Sequence, residues 1–478
     1  MLTTLLLALL VAPPAWDVAP LLAKVRASNA MIDDLRELCD TVGGRPTPSA
    51  AGERSEAWAL QKFRDAGVPA AFESYIVPAS WRSRNAMAEA IAPAAFPLRV
   101  AAAPFTISTN GRIEGMLVDF GDGSREEVLA AVPESPGKIA FVHTGIMNSL
   151  DDLFGDYMRI NALLSTAKRT GVAAMLIESS QRRSLLYRHP MSLDGRIVPL
   201  PVAIVAHDNA ERLVRLMGRG PVSVALRLDN EVGGPVAARN VVGEIRGSDK
   251  ADEIVVVGAH LDSWDMGTGA LDNGVNAATV IDLARQIKAL GLKPRRTIRF
   301  IDFTGEENGM IGSRAYAEAH RAEMPRTVAM ITMDIGSGKT TGFFLNGRED
   351  LRPVVEKALT PLIAQKAQQN LPDALDGTDN FDFILFGVPN LVANQDPAPY
   401  LPEYHAESDT FDKVDAAAAK ENEAVDAALL WALANDDARL PQQSRAEIEK
   451  LLADQHLVEQ MKLFAQWDDW AAHKRGVN

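Results

Sequence analysis

Three short runs in the second half of the chain constrain its fold more than any other feature. The runs are Ile254–Val257, Thr297–Asp302 and Val328–Met333. The first is apolar throughout, as expected of a strand that is buried on both faces, and a helix-like stretch at 276–290 separates it from the second. This alternation of strands and helices predicts an α/β fold with three layers, in which helices cover both faces of a mostly parallel central sheet.

Residues that can bind a metal ion follow each of these runs. They are His260 and Asp262 after the first run, Asp272 in the glycine-rich loop beyond, Glu306 and Glu307 after the second run, and Asp334 after the third. Because ligands bind beyond the carboxyl ends of the strands in open α/β sheets, we expect these side chains to lie close together. So many carboxylates in one place are costly unless cations neutralise them. Oxygen and nitrogen ligands suit zinc, with cobalt or manganese as possible substitutes.

A further candidate ligand lies far downstream, in the turn Tyr404-His405-Ala-Glu-Ser-Asp-Thr. A histidine in such an acidic, hydroxyl-rich turn is weak evidence by itself. His405 becomes a candidate because the carboxylates at the strand ends still lack a second imidazole beside His260. The combined pattern, rather than any single residue, predicts the metal site.

The composition excludes some classes of function. The net charge of −14 argues against nucleic acid or an anionic membrane surface as a partner, since both need a basic surface. Cys39 is the only cysteine, so neither an internal disulfide nor a thiolate metal cluster is possible. Residues 2–11 form an apolar run that is too short to span a bilayer but is typical of a secretory signal; the alternative is a buried N-terminal helix. We therefore expect a secreted or periplasmic protein without a membrane span.

A chain of 478 residues is long enough for more than one domain. Changes in the pattern of apolar and turn residues along the chain predict five segments. They are a signal peptide at 1–16, a first part of the main domain at 17–110, a compact α/β or β-rich insert at 111–235, a second part with the metal site at 236–440, and a helical tail at 441–478. The tail begins with Ser444 and Glu447, which are spaced as in a capping box.

Four segments resemble the zinc aminopeptidase/glutamate carboxypeptidase family. They are His260-Leu-Asp-Ser-Trp-Asp, Gly305-Glu-Glu, Asp376-Gly-Thr-Asp and the turn around His405. Within the family, the nearest match is the plasma glutamate carboxypeptidase (carboxypeptidase Q) group, and the likeness extends from about residue 38 to about residue 433. The resemblance implies the zinc-exopeptidase fold, interrupted by an inserted protease-associated domain, and a possible homodimer.

The resemblance also implies two zinc ions per chain. Asp272 would bridge both ions. His260 and Asp334 would complete one site, while Glu307 and His405 would complete the other. All five positions carry a residue that can act as a ligand, which favours a catalytically active member of the family.

Three further residues take catalytic roles by the same resemblance. Glu306 would act as general base for a metal-bridged hydroxide that attacks the peptide carbonyl. Asp262 would orient His260. Tyr404 would stabilise the oxyanion, as in bacterial aminopeptidases of the family; the carboxypeptidase Q pattern has histidine at this place.

The implied function is hydrolysis of dipeptides or short peptides from one end, as a carboxypeptidase or dipeptidase. Two alternatives remain open: an aminopeptidase of the same family, and a binding protein that keeps the fold without catalysis. A phosphate-loop interpretation of Gly336-Ser-Gly-Lys-Thr is unsatisfactory because the full motif needs glycine where this chain has Met333.

Overall fold

The computed structural model describes residues 17–167 and 169–477, which form two β-sheets with helices packed on them. The predicted signal at 1–16 lies outside the described residues. The strands are β1 (Ala70–Val77), β2 (Ser80–Ala92), β3 (Phe96–Leu98), β4 (Val100–Ala102), β5 (Ile113–Asp119), β6 (Ile139–Val142), β7 (Ala174–Glu178), β8 (Val202–Val205), β9 (Ser223–Gly233), β10 (Val236–Ile245), β11 (Lys250–His260), β12 (Arg296–Phe303), β13 (Thr327–Thr332), β14 (Thr340–Phe344) and β15 (Asn390–Gln395).

The α-helices lie between these strands and in the C-terminal tail. They are α1 (Ala19–Ala27), α2 (Ala30–Thr41), α3 (Ala50–Asp65), α4 (Arg125–Ala131), α5 (Leu150–Ala167), α6 (His207–Met217), α7 (Val275–Ala289), α8 (Ile311–Ala319), α9 (Arg352–Ala358), α10 (Phe381–Leu385), α11 (Ala416–Asn435), α12 (Arg445–Asp454), α13 (Leu457–Leu463) and α14 (Trp467–Ala471). Among the described residues, no helix combines the length and apolarity needed to cross a bilayer.

The larger core lies around a seven-stranded sheet of order β1-β10-β12-β11-β13-β15-β14. Its middle strands β12, β11, β13 and β15 are parallel, whereas β1, β10 and β14 are joined by antiparallel pairings. Val255 and Val257 pack on one face with α1, α3, α7 and α11, while Ile254 and Val256 pack on the other with α8 and α10. The predicted α/β class is confirmed, with antiparallel strands at the edges of a parallel centre.

A second sheet of eight strands has the order β3-β2-β9-β5-β6-β7-β8-β4. Its strands β5, β6, β7 and β8 are parallel, and β2 pairs with β9 from Ser80↔Gly233 to Ala92↔Ser223. This sheet therefore begins about thirty residues before the boundary that the sequence predicted at residue 111. The partner of β2 lies far away in the sequence, so only the tertiary pairing shows which sheet the strand joins.

The C-terminal tail is helical, as predicted, and the capping box of Ser444 and Glu447 is present. Its apolar residues pack against α10, and Arg475 forms a buried ion pair with Asp382 at 2.7 Å. The tail is thereby held against the main sheet, and Phe464, the residue after α13, reaches the cleft described next.

Candidate metal centre

The carboxyl ends of three adjacent strands bring the predicted ligands together. Strand β11 lies between β12 and β13 and ends at His260. The loop after β12 carries Glu306 and Glu307, and the loop after β13 carries Asp334. All four side chains line one cleft, at the edge of the sheet where the sequence predicts them.

One group of possible ligands consists of His260, Asp272 and Asp334. His260 Nε2 lies 2.9 Å from Asp334 Oδ1 and 3.2 Å from Asp272 Oδ1. All three side chains are buried or nearly so. An imidazole nitrogen and two carboxylates at this spacing are a suitable donor set for a divalent transition metal.

A second group consists of Asp272, Glu307 and His405. His405 Nε2 lies 2.8 Å from Glu307 Oε2 and 3.3 Å from Asp272 Oδ2. The two oxygens of Asp272 therefore face different histidines, Oδ1 towards His260 and Oδ2 towards His405. A carboxylate in this position can bridge two cations.

The hydrogen bonds of the two histidines assign their tautomers. His260 Nδ1 lies 2.9 Å from the carbonyl oxygen of Asp262, and His405 Nδ1 lies 3.0 Å from that of Arg188. A carbonyl can only accept, so each Nδ1 carries a proton and each ring directs its Nε2 towards the carboxylates. Burial lowers the pKa of His405 to about 4, so this ring is neutral. An Nε2 lone pair that faces carboxylate oxygens can share a bound cation with them.

The buried oxygens of Glu307 support the same conclusion. Neither Oε1 nor Oε2 has a hydrogen-bond donor, although the side chain is buried. Burial raises the pKa of Glu307 well above its ordinary value, and the neighbouring carboxylate of Asp272 adds to the effect. An ionised carboxylate without donors is costly in such a site. The residues present therefore fit a pair of bound cations.

Asp262 contacts His260 through its backbone carbonyl rather than through its carboxylate. The carbonyl oxygen of Asp262 accepts from the imidazole, whereas its Oδ1 lies 3.8 Å from Nδ1. The same Oδ1 accepts the backbone N–H of Glu306 at 3.3 Å. Asp262 thus positions both the first histidine and the loop that carries the candidate general base.

Glu306 lies in the cleft beside both groups but belongs to neither. Burial raises the pKa of its carboxyl well above the ordinary range, and the charges of Asp334 and Glu307 raise it further. A carboxyl group whose proton affinity is raised in this way is suited to taking and returning a proton.

Two residues that support Asp272 were not singled out from the sequence. The carboxylate of Asp409 accepts the backbone N–H groups of Ala270, Leu271 and Asp272 at 2.7–3.1 Å. The hydroxyl of Tyr400 donates to Asp272 Oδ2 at 3.1 Å. Asp409 belongs to the acidic turn after His405, so the composition of that turn was the available signal.

Tyr404 stacks on His405 with ring centroids 3.7 Å apart, and its hydroxyl lies in the cleft. Burial raises its pKa well above 10, so the hydroxyl keeps its proton. Its partner at 2.7 Å is the hydroxyl of Tyr157, which α5 of the second sheet brings to the cleft. The role of Tyr157 was not foreseen, because nothing near it in the sequence marks it as a site residue.

The remaining walls of the cleft are mainly apolar. Its apolar lining side chains are Leu150, Leu153, Phe154, Leu193, Met310, Ile335, Leu375, Val392 and Phe464. In the part of the chain that the structure describes, the charged lining residues are acidic or histidine, and no lysine or arginine lines the cleft. The site therefore combines a strongly acidic floor with apolar walls.

Known proteins resemble this chain over the segment that carries the candidate site. Residues 240–430, which carry every candidate ligand, match the family model of peptidase family M28. Carboxypeptidase Q from Xenopus laevis is 27% identical over 401 residues, which cover 83% of this chain and 84% of that protein. The enzyme of the same name from Bos taurus is 28% identical over 421 residues, 87% of this chain and 88% of that one.

Solved structures show the same likeness. The crystal structure of a Peptidase M28 precursor from Shewanella amazonensis superposes with a TM-score of 0.80 at 29% identity, and the match covers 89% of this chain and 98% of that chain. A zinc aminopeptidase from Bacillus subtilis shares the fold, with a TM-score of 0.67 at 19% identity over 86% of this chain and 96% of that chain.

The fold, the donor set and these matches define the chain as a metallopeptidase, an enzyme that hydrolyses peptide bonds. More particularly, it is related to peptidase family M28, and its resemblance to the zinc aminopeptidase/glutamate carboxypeptidase family and its carboxypeptidase Q group is confirmed.

Proposed function

We propose that the protein is a two-zinc exopeptidase that hydrolyses dipeptides or short peptides. The observation that carries the proposal is the pair of three-residue groups that share Asp272, one with His260 and Asp334 and the other with Glu307 and His405. Two bound zinc ions would polarise the substrate carbonyl and lower the pKa of the attacking water.

The protein's own residues would do the rest of the chemistry. Glu306 would take the proton of the attacking water and return it to the leaving amine. Cations held by the two groups would oppose the effect of burial on Glu306 and favour its ionised form at neutral pH. Tyr404, which keeps its proton, would donate to the oxygen that becomes negative in the transition state. Tyr157 would hold that hydroxyl in place through their 2.7 Å contact.

The charges of the cleft favour recognition of a free amino terminus. An ammonium group would be attracted by Glu306 and Asp376, which line the cleft and are not among the proposed zinc ligands. A terminal carboxylate would find no lysine or arginine among the described lining residues. The aminopeptidase alternative therefore has a specific observation in its favour, and a dipeptidase that reads the amino end satisfies both interpretations. The apolar walls favour apolar side chains next to the scissile bond.

The second sheet, residues 80–233, corresponds in our proposal to the protease-associated insert, and Tyr157 is the polar side chain that it contributes to the cleft. The boundaries of the other domains, export from the cytoplasm directed by residues 1–16, and a homodimer also stay proposals. Chemical determination of the N-terminal residue of protein recovered from the cell envelope would test the signal.

The decisive experiment compares Glu306→Gln with a matched control, Glu356→Gln, which lies on an exposed helix position. We expect Glu306→Gln to abolish turnover of dipeptides while the zinc content of wild type is retained, and Glu356→Gln to leave both unchanged. Normal turnover by Glu306→Gln would overturn the role of Glu306. Absence of hydrolysis by fully metallated wild-type protein would favour the non-catalytic binding protein.

The end preference needs product analysis. Dipeptides with both ends free, with a blocked amino group and with an amidated carboxyl group should be offered to the same zinc-loaded enzyme. We expect the amino-blocked substrate to be the one that resists cleavage. Cleavage of that substrate together with resistance of the amidated one would establish the carboxypeptidase interpretation instead.

A further inference from the structure

A separate cluster of possible metal ligands lies in the second sheet, and none of its residues lines the cleft. The parallel strands β5, β6, β7 and β8 direct their carboxyl ends to one edge of that sheet. Glu178 is the last residue of β7, and His207, two residues beyond β8, is the first residue of α6. Glu211 follows one helical turn later, on the same face of α6 as His207.

The donor atoms of these three residues lie within 4.8 Å of one another. Glu178 Oε1 and His207 Nδ1 are 2.7 Å apart, yet neither atom has a partner in hydrogen-bond geometry. Two enclosed polar atoms that face each other without a hydrogen bond are each left free to bind another partner. A cation can supply that interaction, because a carboxylate oxygen and an imidazole nitrogen can both donate lone pairs to it.

Glu178 is buried, which makes an unpaired oxygen of its carboxylate unfavourable. The residue is 3% exposed, and its other oxygen, Oε2, accepts the backbone N–H of Thr144 at 3.0 Å. One oxygen is thus satisfied by the protein, and the other is left for a ligand. Leaving a buried polar group unpaired is unfavourable, and more so when the group is charged.

The surroundings of the three residues permit entry of an ion. His207 is half-buried and Glu211 is exposed, so the cluster opens to solvent on the side of α6. The competing contact of Glu211, with Arg215 at 3.4 Å, is exposed and therefore weak. The neighbouring imidazole of His143 pairs with Asp119 at 2.8 Å and is not needed in the site.

From this geometry we propose that Glu178, His207 and Glu211 bind a further divalent transition-metal ion of the zinc type, separate from the two of the cleft. One nitrogen and two carboxylates leave a fourth position for water, as in tetrahedral zinc sites. The ion links the end of β7 to the start of α6. Because no residue of the cleft binds this ion, the role of the ion is to stabilise the second sheet rather than to act on substrate.

The test counts zinc ions in the whole protein. Wild type, Glu211→Gln and His207→Ala are stripped with a chelator, dialysed against zinc in the micromolar range and analysed for bound metal. The matched control is Glu126→Gln, an exposed glutamate on helix α4 of the same sheet. We expect both site variants to bind one ion fewer per chain than wild type and the control, with unchanged hydrolysis of dipeptides.

The zinc contents of wild type and the two variants distinguish the possible outcomes. Glu211 is exposed, so Glu211→Gln reports on the site even where His207→Ala fails to fold. Equal zinc content in wild type and Glu211→Gln overturns the proposal and leaves Glu178 and His207 as an ordinary ion pair. Loss of one ion supports the proposal irrespective of how many ions the cleft retains, so failure of the proposed function would be recognised separately.

Discussion

The hydroxyl groups of Tyr157 and Tyr404 lie 2.7 Å apart, although the two residues belong to different sheets and are 247 positions apart in the sequence. Tyr404 precedes the candidate ligand His405 and stacks on its ring, whereas Tyr157 comes from α5 of the second sheet. The cleft is therefore completed by both parts of the molecule, and the second sheet contributes directly to the site.

Replacement of Tyr404 by phenylalanine should slow the chemical step. Loss of one oxyanion donor typically costs about 10²- to 10³-fold in kcat. We expect Tyr404→Phe to show a loss of this order with little change in KM, because the contact would form mainly in the transition state. Steady-state kinetics on a dipeptide would measure it, with Tyr187→Phe as the control. A loss confined to KM would contradict the role.

The change Tyr157→Phe tests the link between the two sheets. Removing its hydroxyl leaves Tyr404 in the cleft but frees the orientation of its proton. We expect a smaller loss of kcat than in Tyr404→Phe, about 10-fold, and no further loss when both changes are combined, since residues that act as a unit are not additive. Additive losses in the double variant would mean that the two tyrosines act independently.

Asp409 should control how firmly the cleft holds its ions. Its carboxylate accepts three backbone N–H groups of the loop that ends in Asp272. Asp409→Ala removes these acceptors and should weaken zinc binding by about 10- to 100-fold, as is usual when a group that orients a ligand is lost. Competition with a chelator would measure the affinity. Asp412→Asn, in an exposed position of the same turn, serves as the control and should bind zinc like wild type.

His189 should make the metal-free protein sensitive to acid. The ring is buried, its Nε2 has no hydrogen-bond partner, and burial lowers its pKa from 6.5 to about 3. Between these two values the unfolded chain binds a proton that the folded chain does not. The stability contributed by the neutral ring is therefore fully present above pH 6.5 and is lost as the pH falls towards 3, by up to about 5 kcal/mol.

Urea unfolding of the zinc-free protein at a series of pH values would measure this effect. His189→Gln, which cannot titrate in this range, should show a shallower decline below pH 6.5 than wild type. His456→Gln, an exchange of a histidine in the C-terminal tail, is the control and should decline like wild type. The same slope in wild type and His189→Gln would assign the acid sensitivity to other groups.

Phe464 should influence which side chains the cleft accepts. It lines the cleft beside Tyr157, with ring centroids 6.4 Å apart. We expect Phe464→Ala to lower kcat/KM for substrates with large apolar side chains by about 10-fold, within the 1–3 kcal/mol typical of a change in a hydrophobic pocket. Leu457→Ala removes a buried side chain of the same tail away from the cleft. An equal loss in both variants would indicate a general loss of packing.

Much of the candidate metal site could be predicted from local patterns. His260 ends a buried strand, and Glu307 and Asp334 each follow one within a few residues. Parallel strands place such residues at one edge whatever the details of packing. Their arrangement at one edge follows from the chain's own periodicity. His405 was a weaker prediction, since it follows no such strand.

Other features depended on contacts between distant parts of the chain. The sequence contains no local signal that β2 pairs with β9 rather than with the main sheet, that Asp409 supports the loop of Asp272, or that Tyr157 reaches Tyr404. Each of these joins segments more than a hundred residues apart.

The amino-acid sequence by itself determined the α/β class and the types of side chain at the strand ends, because periodicity and strand polarity are local properties. Only the tertiary structure decided which oxygen of Asp272 faces which histidine, and which helix of the second sheet completes the cleft. Those relations depend on how separate elements pack, and the free energy of packing is shared among residues that are remote in the sequence.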